Sequence, residues 1–493
     1  MQVNTAASWL TPFAVQVPDA LAQQVLGELR VSSKEVQPGD VFLALPGTSR
    51  HGNDFITQAL AQGAALVLTN QPVSVADARI LVWPELMTQL TTVIEAFYPH
   101  PELQLVGVTG TNGKSSTAIF VNQLAQLLGI AAGVIGTLGH GHYQQLTPLN
   151  NTTPHLADLH RILAQSAGAD RQLMALEVSS HALDQKRVAG LQFAVAVFTN
   201  LTRDHLDYHG TMQAYGEAKA LLFTNELAQK AVINVSDDFG RQLAARTALP
   251  VIAYGRLQDC QSYAAYLAYH ELTVTPRGYQ FVLHSRLQGV TSAQLVQLQV
   301  LGEFNVQNAL AAAAAMLQLG HALQTVVQAL TQLCSVPGRI EQFYQASRQV
   351  MAVVDYAHTP DALEQSLLAC RNHTQGQLWL VFGCGGDRDK GKRPLMGAIA
   401  ERLADQLVIT ADNPRTEDVN AICADIAAGC RKQNYQIIPD RKTAIRQAFS
   451  LTQAGDLVLI AGKGHEDYQI IGTSVIPYDE RAFVQQLVTE PPL

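Results

Sequence analysis

Leu105-Val-Gly-Val-Thr-Gly-Thr-Asn-Gly-Lys-Ser-Ser-Thr117 decides the reading of this chain. The apolar run Leu103 to Val108 reads as a buried strand, and an apolar helical pattern follows from Ser116 to Leu128. Between them lies Thr109-Gly-Thr-Asn-Gly-Lys-Ser115. Strand, glycine loop and helix, in that order, predict a phosphate-binding loop. Gly110 and Gly113 let the backbone turn tightly and aim N–H groups inward, and the helix N-terminus adds partial positive charge. Lys114 would reach the outer phosphates and the Ser115 hydroxyl would sit on Mg²⁺. The general pattern wants a glycine where this chain has Val108; Gly107 is one residue too early. The loop therefore takes a narrower form, Thr-Gly-Thr-Asn-Gly-Lys-Ser. An ordinary glycine-rich turn would not explain why Lys-Ser falls on the helix start.

The totals bound the answer. A chain of 493 residues predicts two to four domains, with three as the central expectation, and 47% hydrophobic against 15% charged residues suffices for real cores. A net charge of −8, with no basic run, argues against nucleic acid as a partner. Met1 to Leu10 lacks a positive region followed by a long apolar core, so no signal peptide is expected. The Ala-rich run Ala309 to Leu319 is too short to span a membrane, so no insertion is expected. Six cysteines (260, 334, 370, 384, 423, 430) show no metal spacing, which fits a reduced cytoplasm.

Residues 1–98 read as a small α/β unit, with strands Val41 to Leu45 and Ala64 to Leu68 and a helix Asp54 to Gln62. Ser32-Ser-Lys34 and Gly47-Thr-Ser-Arg-His-Gly52 are polar loops that read equally as solvated turns. Tyr98-Pro-His-Pro101 reads as a linker. Residues 99–335 alternate strands (Leu173 to Val178, Phe193 to Thr199, Ala231 to Asn234) with helical stretches and a helix Asn305 to Leu319, predicting a mainly parallel sheet covered on both faces. Val336-Pro-Gly338 reads as a second linker. Residues 336–493 begin with strand Val350 to Val354; strands 378–382, 406–410 and 456–460 then alternate with helices 361–370, 394–404, 417–431 and 441–452. Thr359 before Pro360, and Asp440, are expected helix caps. This last unit is a second nucleotide-fold-like α/β domain.

Polar strings follow the strands, where open parallel sheets place their sites. Glu177-Val-Ser-Ser-His181 offers a carboxylate and an imidazole near the loop, suited to Mg²⁺ or water. Asn200-Leu-Thr-Arg-Asp-His-Leu-Asp-Tyr-His-Gly210 is rich in Asp and His, and a surface loop accounts for it as well as a site does. From spacing alone Lys219, flanked by Ala218 and Ala220, reads as a snorkelling lysine. In the last unit Asp355-Tyr-Ala-His358, Gly383-Cys-Gly-Gly-Asp-Arg388, Asp412-Asn-Pro-Arg415 and Gly462-Lys-Gly-His-Glu466 are charged strand-end loops. The last three converge on one sheet edge, which chance does not readily explain.

These strings resemble the Mur ligases, ATP-dependent amide-forming enzymes of bacterial cell-wall synthesis. The matching stretches are Thr-Gly-Thr-Asn-Gly-Lys (109–114), Glu-Val-Ser-Ser-His (177–181), Asn-Leu-Thr-Arg-Asp-His-Leu-Asp-Tyr-His-Gly (200–210), Gly-Arg-Ile-Glu (338–341), Asp-Tyr-Ala-His-Thr-Pro-Asp-Ala-Leu (355–363), Gly-Gly-Asp-Arg-Asp-Lys-Gly-Lys-Arg-Pro (385–394), Asp-Asn-Pro-Arg (412–415) and Gly-Lys-Gly-His-Glu (462–466). Within the family they are most similar to the branch adding meso-diaminopimelate to UDP-N-acetylmuramoyl-L-alanyl-D-glutamate. The N-terminal region matches more weakly. The resemblance implies three α/β domains: 1–98 for the UDP-substrate, 99–335 for ATP on a P-loop-type mostly parallel sheet, and 336–493, Rossmann-like, for the amino acid. A cytoplasmic monomer is expected.

The resemblance implies roles position by position. Gly110, Thr111, Asn112, Gly113, Lys114, Ser115 and Ser116 would hold ATP, joined by Asn308, Arg339 and Asp355. Ser115, Glu177 and His205 would serve two Mg²⁺ sites; Thr is frequent in the family at the position of Ser115. Lys219 falls where the family carries a carbamylated lysine, an anionic oxygen ligand, which reverses the snorkelling reading. Ser33, Asn151, Thr152, Thr153, Ser179, Gln185 and Arg187 would bind the UDP-MurNAc-dipeptide; the family commonly has Arg where this chain has Lys34. Arg388, Asp412, Asn413, Pro414, Arg415, Gly462 and Glu466 would bind diaminopimelate. Lys114, Glu177, His205 and Lys219 would be catalytic. ATP would convert a carboxylate to an acyl phosphate that the amine then attacks. A lysine-adding Mur ligase and a folylpolyglutamate-type ligase are the near alternatives. A non-catalytic nucleotide-gated protein is the alternative from another class.

Overall fold

The computed structural model of the chain describes residues 4–47, 50–100, 102–432 and 434–489. Thr48 and Ser49 of the predicted N-terminal loop and Pro101 of the predicted linker lie outside them. The chain packs as two compact units, Met1–Val251 and Ile252–Leu493. No described helix is long and apolar enough to cross a membrane.

The first unit opens with four parallel strands in the order Leu29–Arg30, Val41–Ala44, Leu66–Thr69, Ile80–Val82. Their residues alternate between two buried faces. Val41, Leu43, Leu66 and Leu68 join Trp9, Leu86 and Val93 on one side, while Phe42, Ala44 and Val67 join Ile56 and Ala59 on the other. The predicted helix after Asp54 is a single-turn 3₁₀ segment, Gly52–Phe55, followed by Ile56–Ala61. Tyr98 is not a solvated linker residue. It is 6% exposed, its hydroxyl accepts from Leu29 N at 2.8 Å, and it donates to Glu28. The aromatic ring had a core to join, which overrode the two breakers after it.

The same unit carries five parallel strands, Ala231–Asn234, Val195–Phe198, Gln104–Thr109, Leu173–Glu177 and Ala132–Gly136 in spatial order, then antiparallel Gly139–His142 and Gln145–Thr147. The predicted strands fall here within about two residues of their ends. Strands buried on both faces read as near-continuous apolar runs, which made them visible in sequence.

In the second unit a six-stranded sheet runs Glu341–Gln345, Val350–Asp355, Leu457–Ala461, Leu378–Phe382, Gln406–Ile409, Tyr435–Ile437, parallel apart from its first pair. Met351, Val353, Leu380, Phe382 and Leu459 face helices Pro360–Arg371 and Lys392–Leu403; Val350, Ala352, Val354, Val381 and Ile460 face helices Arg441–Leu451 and Glu480–Thr489. Thr359 and Asp440 cap their helices as expected, accepting from Ala362 N and Thr443 N. The helix predicted over 417–431 is shorter, Val419–Ala427, because Asp418 caps it. Three long antiparallel strands, Tyr266–Thr275, Gly278–Leu287 and Val290–Leu298, were not anticipated. Gln288 and Gly289, both with positive φ, form a two-residue turn of the hairpin type.

Candidate active site

Strand, glycine loop and helix follow one another as the sequence predicts. Strand Gln104–Thr109 feeds the loop and helix Lys114–Leu127 leaves it. Gly110 has φ +146° and Gly113 φ +84°, and a Cβ on Gly110 would come 1.9 Å from Thr199 Oγ1. Glycine is therefore required at 110 on space as well as conformation. Lys114 Nζ folds back on the loop, donating to Gly110 O at 2.9 Å and Thr111 O at 2.8 Å. Ser115 and Ser116 occupy the first turn of the helix.

The start of the segment after strand Val195–Phe198 packs on this loop rather than standing free of it. Asn200 O accepts from Thr111 N at 2.9 Å, and Asn200 Oδ1 accepts from Asn112 N at 2.9 Å. Thr202 N donates to Thr111 Oγ1 and Asn112 Nδ2 donates to Thr202 Oγ1. Further along, His205 takes a left-handed conformation, φ +50°, with Nε2 3.4 Å from Asp204. Its ring lies 4.8 Å from that of His181, which also meets Tyr208 at 4.2 Å and His209 at 5.4 Å. His181 is the imidazole that the sequence placed with Glu177 as suited to Mg²⁺, and it stands among these aromatic rings. Burial first, then the neighbouring His205 and His209, push its pKa down.

Lys219 is 1% exposed, the opposite of snorkelling. Its Nζ donates to Gly110 O at 2.8 Å and sits 4.2 Å from the centre of the Tyr215 ring. Burial, with the Lys114 cation second, lowers its pKa to about 6. The two lysines thus share one carbonyl, and one of them is poised to be a neutral amine.

Glu177 ends its strand 3% exposed. Its carboxylate accepts from Thr137 N at 2.9 Å and Thr137 Oγ1 at 3.2 Å. A Cβ on Gly136 would fall 2.1 Å from Glu177 Oε1, so only glycine admits the carboxylate. Ser115 and Glu177 line one small cavity with Ile119, Ile135 and Leu138. Two hard oxygen donors facing one space suit Mg²⁺. Among the described residues no three His, Cys, Asp or Glu side chains are gathered as a metal-binding group.

The expected dipeptide-binding residues cluster at the same strand end, Ser33 apart. Thr153 Oγ1 donates to Glu177 O at 2.8 Å and accepts from Ser179 N at 3.1 Å. Thr152 Oγ1 lies 3.0 Å from Thr137 Oγ1. Ser179 caps helix Ser180–Asp184. Arg187 donates to Thr153 O at 3.0 Å and, through two nitrogens, to Gln185 Oε1. Asn151 is exposed beside them. Ser33 is in the N-terminal sheet region, bonded to Gln58 Oε1 at 3.0 Å.

In the second unit, Asn308 is buried in helix Glu303–Gln318 and donates to Asn305 Oδ1. The Arg339 guanidinium lies 4.9 Å over the Tyr356 ring, and its buried Nε has no hydrogen-bond partner among the described residues. The Asp355 carboxylate accepts from Ile340 N, Ala357 N and Ser366 Oγ.

The three charged loops do meet on one sheet edge. Asn413 Nδ2 donates to Glu466 Oε2 at 2.9 Å, and a Cβ on Gly462 would lie 3.3 Å from Asp412 Oδ2. Arg415, behind buried Pro414, is left-handed with φ +51°. Its Nη1 donates to Gly386 O at 2.8 Å, and its backbone bridges Ile471. Arg388 is exposed on the neighbouring loop. Neither Arg388 nor Arg415 has a carboxylate partner among the described residues.

Models of three family regions match this chain in order: the Mur ligase family catalytic domain at residues 27–125, the Mur ligase middle domain at 108–316 and the Mur ligase glutamate ligase domain at 338–464. A protein of Xanthomonas campestris pv. campestris strain 8004, named UDP-N-acetylmuramoyl-L-alanyl-D-glutamate--2,6-diaminopimelate ligase, is 45% identical over 95% of this chain and 96% of its own. One of the same name from Vibrio vulnificus strain YJ016 is 40% identical over 98% of both. A solved structure of a ligase of that name superposes with a TM-score of 0.71 at 34% identity, covering 99% of each chain. With three Mur ligase models matched in order along it and relatives 40–45% identical over nearly its whole length, the chain belongs to the Mur ligase family.

Proposed function

We propose that this chain is the ATP-dependent ligase that joins meso-diaminopimelate to UDP-N-acetylmuramoyl-L-alanyl-D-glutamate, through an acyl phosphate, in peptidoglycan precursor synthesis. The observation that carries the choice of amino acid is the edge holding Arg415. A guanidinium without a carboxylate partner stands beside an acceptor cluster of Asp412, Asn413 and Glu466. Diaminopimelate differs from lysine by one extra carboxylate at its far end. The planar fork of Arg suits that group, and lysine would place a like charge there instead.

Lys114 and the loop amides would stabilise the transferring phosphoryl group, with Asn112 held ready by Asn200. Ser115 and Glu177 would hold Mg²⁺, with His205 and a carbamate on Lys219 serving a second ion; bound there, the metal neutralises phosphate charge. Thr152, Thr153, Ser179, Gln185 and Arg187 would position the dipeptide, and Ser33 the uridine end. Asn308, Arg339 and Asp355 would complete the ATP site. The division into substrate, ATP and amino-acid domains at 1–98, 99–335 and 336–493 belongs to the same reading.

The test is phosphate release with ATP and UDP-MurNAc-dipeptide, comparing diaminopimelate with lysine. A hydrogen bond to a charged group is worth about 1.5–3 kcal/mol, so a kcat/KM ratio of roughly ten to a hundred or more is expected. Equal use of lysine would overturn the assignment.

A further inference from the structure

Lys463 is fully buried at the amino-acid edge of the second unit. The sequence strings gave roles to its neighbours Gly462 and Glu466 and none to it. Its Nζ donates to Asn413 Oδ1 and to Glu466 Oε2, both at 3.0 Å, and stands 3.6 Å from Asp412 Oδ1. That Asp412 oxygen is buried and makes no hydrogen bond among the described residues. Asn413 Oδ1 also accepts from Ile470 N at 2.9 Å, which fixes the amide's orientation. One ammonium therefore gathers acceptors from two loops.

The formal charges of the set itself, leaving aside the Arg415 guanidinium beside it, can be counted. Lys463 contributes +1, and Asp412 and Glu466 contribute −1 each, leaving −1. Arg441, the next cation inward, has a Glu480 partner and adds nothing net. Without a cation between them, two carboxylates at this spacing would repel. Lys463 opposes that repulsion from between them, and the formal charges of the three groups sum to −1.

We propose that Lys463 is a positioning residue of the amino-acid site. It holds Asp412, Asn413 and Glu466 as one preformed acceptor set, with a residual charge of −1 that receives a single ammonium of the incoming diamino acid. The inference rests on the diaminopimelate reading above. Lys463 itself touches no substrate. Its fully buried stem keeps it inside the set, so its effect is confined to how one substrate is held.

The experiment compares wild type, Lys463→Met and the double variant Lys463→Met/Glu466→Gln, measuring KM for each of the three substrates and the melting temperature. Lys463→Met is expected to raise KM for diaminopimelate at least tenfold, as loss of a charged contact does. The values for ATP and UDP-MurNAc-dipeptide should stay within about twofold. The double variant restores the residual −1 and is expected to recover part of the loss. An unchanged KM for diaminopimelate in folded Lys463→Met, an equal loss for all three substrates, or a double variant worse than the single one would overturn the inference. Should Lys463→Met fail to fold, Glu466→Gln and Asp412→Asn, which keep the lysine and cancel the residual charge, are each expected to raise the same KM. No change in either would also overturn it. Wild type inactive with diaminopimelate sinks the functional reading instead; active wild type with an indifferent Lys463→Met sinks only this inference.

Discussion

Replacing Lys219 by Met tests the strongest electrostatic feature of the first unit. The amine is 1% exposed, and its pKa is lowered to about 6 by burial and then by Lys114. At pH 7.5 such an amine is about 97% neutral, against about 0.1% for an ordinary lysine near 10.5, so roughly a thousandfold more nucleophile is present. That favours carbamate formation: the amine nitrogen bonds to the carbon of CO₂, one proton leaves, and an anionic oxygen pair results. The same shift carries a stability cost. The folded-state pKa lies below the unfolded one, so between about 6 and 10.5 the unfolded chain binds a proton that the folded chain does not. Stability therefore rises with pH across this window. Lys219→Met should remove the penalty, on the order of a few kcal/mol near pH 7. Gly110 O keeps its bond from Lys114 in the variant. The expected result is a higher melting temperature than wild type at pH 7 without bicarbonate, an advantage that shrinks toward pH 10, together with loss of ligase activity. In wild type, ¹³C-bicarbonate should give a carbamate signal that Lys219→Met lacks. A wild-type amine that titrates near 10 and takes up no label, with full activity in the variant, would refute the reasoning.

Lys114→Ala should abolish most phosphate release while far-UV circular dichroism stays that of wild type; near-normal turnover in the folded variant removes its assigned role. Arg415→Ala should collapse the preference for diaminopimelate over lysine, read as a ratio of kcat/KM, while a ratio that survives places the specificity elsewhere. Gly136→Ala puts a methyl 2.1 Å from Glu177 Oε1, so it should displace the carboxylate and cut activity at least tenfold. Wild-type rates in that variant would show that the Glu177 position is not needed. Tyr98→Phe strips the acceptor from Leu29 N and should lower unfolding free energy by about 1–3 kcal/mol in urea titration, with an unshifted midpoint counting against it.

What sequence revealed and what it hid divide along one physical line. The strands that carry the sites were legible because burial on both faces makes them continuous apolar runs, as at Leu173–Glu177 and Leu378–Phe382. Parallel order then put every polar string at a carboxyl end, so the convergence of the loops at 383, 412 and 462 followed from topology. The hairpin strands of 266–298 carried their own signal, apolar and polar residues broken by turns at Pro276-Arg277 and Gln288-Gly289. Their outer strand, Val290–Leu298, is mostly exposed and lacks the continuous apolar run of a doubly buried strand. The lysines are a different matter. Lys114, Lys219 and Lys463 are the same residue in three local contexts, and no local pattern separates a half-buried lysine folded on its loop from a buried amine with a lowered pKa or from an ionic hub. Lys219 looked like a snorkelling side chain between alanines, and Lys463 stood in a charged strand-end loop with no reading of its own. Each is buried by chain far away in sequence: Lys219 by the loop at Gly110, Lys463 by the loop at Asp412. Burial decides whether a lysine keeps its proton, and partners decide whether it then binds or organises. Motif strings can therefore mark where such a lysine stands, but its charge state comes from contacts that only the folded chain assembles.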